Sequence, residues 1–390
     1  MRDPLTSRRD AAGVYVHVPF CSDICPYCDF AVVRNRAHAH PAYVASLVAE
    51  LAARADEVAA LGQVDTIYFG GGTPSVLRAA ALEALIEALR AHCDLADDTV
   101  LMLEANPEDI DATRLAAWRA LGIGVLSLGV QSLDEASLRF LGRRHTAAQA
   151  CRAIELALEA GFDTVSFDLI YGLPEQQPAD WERTLEQAIA LGPDHLSCYQ
   201  LTLEPRTSFA RQAARHAFTP LPNSRRADLF FLTHDHLGAH GFDGYEVSNF
   251  ARAAHHRSRH NQKYWRHIPY LGLGPSAHSF DGCIRAWNER HVRRWQRRLA
   301  ETGSGQAGSE RLSGRQLALE ALMLGLRTRR GVDLGATRAR FCVDLMSGNQ
   351  ARLDRLSAEG LLVRTGDRLC ATLRGMAVAD RLAREWTIAD

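Results

Sequence analysis

Apolar residues recur along the first half of the chain with two alternating periods. Short runs rich in β-branched and aromatic residues occupy 14–18, 66–69, 99–103, 125–128, 164–167 and 195–199. Between them the apolar positions return at helical spacing, as in 43–60, 79–92 and 146–160, which predicts helices that bury one face. Thr146 stands where an N-cap accepts from the first-turn amides, and Gly161 where a left-handed residue ends the helix. Six strand-helix units in series predict an α/β fold with a parallel sheet, either curled into a partial (β/α)6 barrel or wound as an open sheet.

Past residue 205 the regularity weakens to one helix at 224–240 and an aromatic, histidine-rich segment at 245–280. The Gly/Ser-rich stretch 301–309 reads as a linker. Beyond it, 315–328 and 350–359 predict helices, and 361–371 predicts a hairpin turning on Gly366-Asp367. That order is expected to give a small, mostly helical, winged-helix-like module. The organisation predicted is a barrel over 1–205, a barrel-completing segment over 206–300 and the C-terminal module over 310–390.

Composition narrows the function classes. The chain has 390 residues, 47% of them hydrophobic, enough for a large core and more than one domain. A net charge of −1 gives no global attraction to nucleic acid or an anionic membrane, so no nucleic-acid partner is expected. Lys263 is the only lysine, a bias read as genomic composition. The charged stretch 1–10 is not followed by a signal-type apolar segment, and no run of about 18 apolar residues occurs. No transmembrane segment and a cytoplasmic, reducing location are expected. Nine cysteines, an odd number, agree with that. Outside one cluster they are scattered and lack C-x2-C spacing, so no disulfide framework is expected.

The cluster is Cys21, Cys25 and Cys28, a C-x3-C-x2-C triplet directly after the first strand. Three thiolates on one loop suit three irons of a [4Fe-4S] cluster and leave the fourth iron free of protein ligands. A zinc site would draw ligand pairs from two separated knuckles, and the sequence has no second knuckle. Other polar residues also fall at strand ends: Gly70-Gly-Gly-Thr-Pro74, Glu104, Gln131 and Asp168. In either barrel or open sheet, ligands bind at that end of the strands. The glycine run lacks the phosphate-loop spacing and its lysine, and alone reads equally as a tight turn or as a close approach of backbone to ligand.

The triplet, the Gly-Gly-Gly-Thr-Pro run, Glu104-Ala-Asn-Pro107, Gly129-Val-Gln-Ser132 and Asp168-Leu-Ile-Tyr-Gly-Leu-Pro174 together resemble the radical S-adenosylmethionine superfamily. The branch is that of the oxygen-independent coproporphyrinogen III oxidases and their relatives. Within it His17-Val-Pro-Phe20, Gly244-Tyr-Glu-Val-Ser-Asn-Phe250 and His260-Asn-Gln-Lys-Tyr-Trp265 resemble the HemW-type haem chaperones. The resemblance implies that S-adenosyl-L-methionine fills the open iron through its amino and carboxylate groups and is cleaved there to a 5′-deoxyadenosyl radical. By family position Tyr15 and Tyr27 line the site, and Gly71, Gly72 and Thr73 take the methionyl part. Glu104, Gln131, Arg143 and Asp168 contact its carboxylate, ribose or adenine side. The motif around His260 implies haem ligation by that imidazole; the residues themselves leave a helix-capping or core role open, with His255 and His256 as competing ligands.

The decarboxylating oxidases extend the triplet to C-x3-C-x2-C-x-C, whereas Phe30 stands at the matching position here, and they carry a longer N-terminal segment. The resemblance therefore implies a haem chaperone with an intact S-adenosylmethionine site rather than coproporphyrinogen turnover; the oxidase is the alternative. Implied partners are haem, respiratory proteins that accept it, an electron donor such as a flavodoxin or ferredoxin, and a second copy of the chain as a homodimer.

Overall fold

The computed structural model describes residues 11–387, so the charged stretch 1–10 lies outside the described residues. All six β-type runs form strands: β1 (Ala12–Val18), β2 (Gln63–Gly71), β3 (Asp94–Ala105), β4 (Ile123–Gln131), β5 (Thr164–Tyr171) and β6 (His195–Gln200). They pair in parallel and in chain order. The ladder sets Tyr15 beside Tyr68, Glu104 beside Ser127 and Asp168 beside Ser197. Polar inward positions thus share levels inside a sheet whose other face is packed by helices. Thr146 caps its helix as the sequence predicts, in a capping box with Gln149, and Gly161 follows the helix end with φ +74°.

The sheet extends past both edges of this unit. β7 (Asp243–Gly244) and β8 (Asn249–Ala251) add antiparallel beyond β6. On the other side β9 (Tyr270–Leu273) pairs parallel with β1, followed by antiparallel β10 (His278–Phe280), β11 (Ile284–Asn288) and β12 (Gln306–Arg311). The order β12-β11-β10-β9-β1-β2-β3-β4-β5-β6-β8-β7 is an open, partial barrel; the expected segment 206–300 supplies strands at both sides, but the outermost strand on one edge, β12, lies beyond it. The seventh parallel strand, β9, lay hidden in sequence because its Gly-rich run lacks strand periodicity.

Two local expectations are corrected. The helix expected over 43–60 is two, His40–Ala53 and Ala55–Leu61, broken at Arg54. Arg54 is buried and donates to Gly272 O at 2.7 Å and Ser279 Oγ at 3.0 Å, tying the break to β9 and β10. The stretch 301–309 is not a linker but the end of helix Val292–Thr302 and the start of β12. Its glycines serve close approach: a Cβ at Gly308 would lie 2.7 Å from the Trp287 ring, and one at Gly305 would lie 2.4 Å from Trp295.

The C-terminal module has helices Gly314–Gly325, Leu334–Phe341 and Gln350–Ala358 and a small antiparallel sheet of Val332–Asp333, Arg368–Ala371 and Leu362–Thr365. Its core is continuous with that of the barrel. Among the described residues no helix is long and apolar enough to cross a membrane.

Glu50, fully buried on helix His40–Ala53, holds the added edge in place. Its carboxylate accepts from the Gly274 amide at 2.7 Å and from Asn288 Nδ2 at 2.5 Å, just past β9 and at the end of β11. Removing it strands two buried donors. Glu50→Ala is expected to cost about 2–4 kcal/mol in urea unfolding, with Glu50→Gln losing less; equal stability of Glu50→Ala and wild type would show that this strap carries no load.

Candidate functional site

The cysteine loop leaves the carboxyl end of β1 and is closed at its base by a short parallel ladder, Phe20–Cys21 against Val33–Arg34. A turn from the Cys28 amide to Cys25 O, 3.1 Å, folds its tip. His17 Nε2 donates to Ala31 O at 2.9 Å, and Tyr43 donates to His17 O at 2.6 Å, so the root of the loop is fixed from inside the barrel. Outside, Arg206 forks onto the Asp29 carboxylate at 3.1 and 2.9 Å and Arg290 donates to Asp29 O at 2.7 Å. The Arg206 guanidinium holds the Asp29 carboxyl below the usual carboxylate range.

The glycine run is pressed against that root. The Gly72 and Thr73 amides donate to Val18 O and Phe20 O at 2.7 and 2.8 Å, and the Gly71 amide to Glu104 Oε2 at 3.1 Å. A Cβ at Gly72 would sit 2.7 Å from Val18 O, and one at Gly71, with φ +108°, would sit 2.4 Å from the His17 ring. The glycines are therefore required by backbone packed on backbone. Their amides are committed to the protein.

Eleven residues singled out in sequence line one cavity of about 390 Å3 at the mouth: Cys21, Cys25, Tyr27, Cys28, Gly71, Gly72, Thr73, Glu104, Gln131, Arg143 and Asp168. Thr73 Oγ1 lies 3.5 Å from Cys21 Sγ, and Arg143 Nη1 lies 3.5 Å from Cys25 Sγ. Arg143 Nη2 is anchored on Asn106 Oδ1 at 2.6 Å and Gly129 O at 2.7 Å, while its buried Nε has no partner. Burial opposes its charge, but Tyr27, Cys25 and Glu108 outweigh burial and hold its pKa above the ordinary value. Burial pushes the Cys21 thiol up to about 12 and raises Cys28, so thiolates here need a cationic partner such as iron. Among the described residues no three His, Cys, Asp or Glu side chains converge closely enough to hold a single metal ion; in a [4Fe-4S] centre each thiolate would instead bind a different iron.

Tyr15 and His260 are not brought to this cavity. Tyr15 lies one layer deeper, its hydroxyl donating to His17 Nδ1 at 3.2 Å and its ring 6.0 Å from that of Tyr68. His260 sits on helix Arg259–Trp265, at the amino ends of the strands, where Lys263 pairs with Asp65 and donates to Ala11 O at 2.6 Å. It is 0% exposed, and its ring nitrogens bond Thr66 Oγ1 and Tyr264 Oη, each at 2.9 Å. Both nitrogens are thus engaged within the core in this structure. His256 bonds Thr164 Oγ1 at 2.8 Å on the same floor, with His255 packed on it.

Sequence reasoning missed Asn106, Ser127 and Tyr199, which line the mouth, and Tyr68 beneath it, which donates to Glu104 Oε1 at 2.6 Å. The signal was period-two alternation: Glu104 and Asn106, Ser127 and Gln131, Ser197 and Tyr199 lie on the inward face of their strands.

Burial lifts the Asp168 carboxyl to about 7, partly opposed by hydrogen bonds from Ser197 and Ser127 and reinforced by Glu104. The folded state therefore keeps a proton that the unfolded chain releases near pH 4, and the ligand-free protein loses stability as pH rises from about 4 to about 7. Asp168→Asn should flatten that slope in urea unfolding measured across the window; identical slopes for both proteins would contradict the assignment.

Comparison with known proteins places this geometry in a family. Residues 15–188 match the radical SAM superfamily and residues 312–378 the HemN C-terminal domain. The chain is 36% identical to heme chaperone HemW of Mycobacterium tuberculosis (strain CDC 1551 / Oshkosh) over 380 residues, 95% of this chain and 94% of that protein. It is 39% identical to heme chaperone HemW of Escherichia coli (strain K12) over 291 residues, 72% and 74% of the two. The structure of coproporphyrinogen III oxidase (HemN) from Escherichia coli superposes with a TM-score of 0.83 at 24% identity, over 97% of this chain and 91% of that one, a likeness of fold. A shared family at these identities implies a [4Fe-4S] cluster and S-adenosylmethionine, and the chain belongs to the HemW haem-chaperone family of the radical SAM superfamily.

Proposed function

We propose that this protein is a cytoplasmic haem chaperone that binds a [4Fe-4S] cluster, S-adenosylmethionine and haem, and delivers the haem to respiratory haemoproteins. The observation that carries the reading is the mouth cavity, with three thiols on one rim, polar strand ends on the other, and Phe30, 66% exposed, where the oxidases place a further cysteine. The similarity to HemW proteins along the chain supports the chaperone reading.

Cys21, Cys25 and Cys28 would hold three irons of the cluster. When bound, cluster and S-adenosylmethionine supply one-electron chemistry at the iron without a protein ligand. Arg143 sets a fixed cation beside Cys25, which would offset the negative charge of an anionic cluster. Glu104 and Asp168 are two half-buried carboxyls facing the same cavity, and Gln131, held at φ +68°, adds its amide. These residues with Arg143 would take the carboxylate, ribose and adenine side of the cofactor, while Gly71, Gly72 and Thr73 would receive its methionyl part. Tyr27 would cover the cluster, and Tyr15 would act from one layer below, by fixing His17. An electron donor of flavodoxin or ferredoxin type would meet the exposed rim formed by Ile24 and Phe30.

The alternative is a coproporphyrinogen III oxidase, favoured by the shared HemN-like fold. Anaerobic reconstitution separates the two. With cluster, S-adenosylmethionine and reductant present, the chaperone binds hemin with a stable Soret shift and leaves coproporphyrinogen III unchanged; catalytic formation of protoporphyrinogen would overturn the proposal. Cys25→Ala should lose the visible absorption of a normal [4Fe-4S] centre, and its retention would refute the ligand set.

A further inference from the structure

Helix Val292–Thr302 buries Trp295 and Leu299 and turns Arg293, Arg294, Arg297 and Arg298 to the opposite, exposed side. It is seated on helix His40–Ala53, where Trp295 packs on Tyr43 and Gln296 Nε2 donates to Ser46 Oγ at 3.2 Å. Among the described residues none of the four guanidiniums makes an ion pair or a hydrogen bond. Glu301, four residues past Arg297, is the acid of the helix and pairs with none of them.

Helix stability does not call for such a face. Arg293 with Arg297 and Arg294 with Arg298 are like charges at i,i+4 spacing, which repel, and Arg293 and Arg294 stand in the first turn, where the helix dipole disfavours cations. Charges of mixed sign would solvate the helix without either cost. The net charge of −1 hides the patch because the excess is local.

The cationic face begins at the cysteine loop. Arg290, two residues before the helix, donates to Asp29 O at 2.7 Å, and Phe30 follows, 66% exposed. Ile24 and Val33 are exposed apolar residues of the same loop. The acids between them are already claimed: Asp23 lies 3.6 Å from both Arg34 and Arg144, and Asp29 is held by Arg206 and Arg290. Arg36, exposed just past strand Val33–Arg34, adds a further cation. A small apolar centre with a charged rim is the anatomy of a protein interface, and arginine is enriched there.

Unpaired guanidiniums select a partner with a carboxylate-rich face and speed its approach. Contact at Phe30 sets that partner against the loop whose cysteines would hold the cluster, which is where a protein that supplies an electron has to stand. We propose that helix Val292–Thr302 and the apolar tip of the cysteine loop form the docking face for an acidic one-electron donor protein. The arginines steer the donor, and Ile24 and Phe30 seat it. In the docked complex the reduced donor is oxidised by one electron and the cluster site is reduced by one, with no atom transferred. The inference rests on the iron-sulfur reading of the mouth and deepens it, because it assigns donor recognition to arginines that line no part of the mouth cavity.

The full-length, cluster-reconstituted protein tests this under anaerobic conditions, with an acidic flavodoxin as the probe. The fourfold variant Arg293→Gln/Arg294→Gln/Arg297→Gln/Arg298→Gln removes the repulsion on an exposed face and should fold, as circular dichroism would check. At low ionic strength it should bind flavodoxin at least about ten-fold more weakly than wild type, and its cluster should be reduced by flavodoxin more slowly by a similar factor. Reduction by dithionite should be unchanged, and wild type alone should lose its advantage as salt is added. Wild-type affinity and rate in the variant would overturn the docking face while leaving the iron-sulfur reading intact. Unchanged flavodoxin binding with weakened binding to vesicles containing phosphatidylglycerol would make the face a membrane surface and overturn it equally. Failure of the wild-type protein to assemble a cluster would remove the iron-sulfur reading, and this inference with it.

Discussion

Two backbone hydrogen bonds, from Gly72 and Thr73 to Val18 and Phe20, decide where the cysteine loop leaves the sheet. They form because Gly71 and Gly72 let β2 run on against the end of β1 without a Cβ between them. Everything at the mouth inherits its position from that contact. The Gly71 amide orients Glu104, Tyr68 holds the other oxygen of the same carboxylate, and Thr73 reaches both Cys21 and Asn106. Asn106 in turn anchors Arg143, whose guanidinium ends beside Cys25. The chain of contacts is short, and it links the glycine run to two of the three thiols.

The two ends of the barrel do different work. At the carboxyl ends of the strands the inward residues are acids, amides and thiols around an open cavity. At the amino ends, helix Arg259–Trp265 plugs the barrel with a salt-bridged and hydrogen-bonded floor formed by Lys263, Asp65, Arg259 and His260. A polar interior connects them, from Asp168 and Ser197 down to His195 and Thr164. The floor helix therefore has one face in the barrel and the other toward the C-terminal module.

The parallel sheet, its strand order and the mouth were legible in sequence because each depends on local signals: apolar runs, helix caps and the rule that ligands gather at strand carboxyl ends. Asn106, Ser127 and Tyr199 were within reach of the same reading, since they sit two residues from positions already chosen or on the same alternating face. The break at Arg54 was not legible, because its cause is a hydrogen bond to Gly272 more than two hundred residues away. The stretch 301–309 misled because glycines admitted for close packing on Trp287 and Trp295 look like those of a flexible linker. The burial of His260 was not legible for a related reason: Thr66 and Tyr264, which use both its nitrogens, are fixed by tertiary packing.

The central claim is that three cysteines leave one iron free and that the mouth delivers S-adenosylmethionine to it. Electron–nuclear double resonance on the reduced, reconstituted protein, with S-adenosylmethionine isotopically labelled at its amino nitrogen and carboxylate oxygens, tests this most directly. Resolved coupling from both labels to the cluster, lost in Cys25→Ala, is the predicted result. A cluster that forms normally yet shows no coupling to either label would contradict the account.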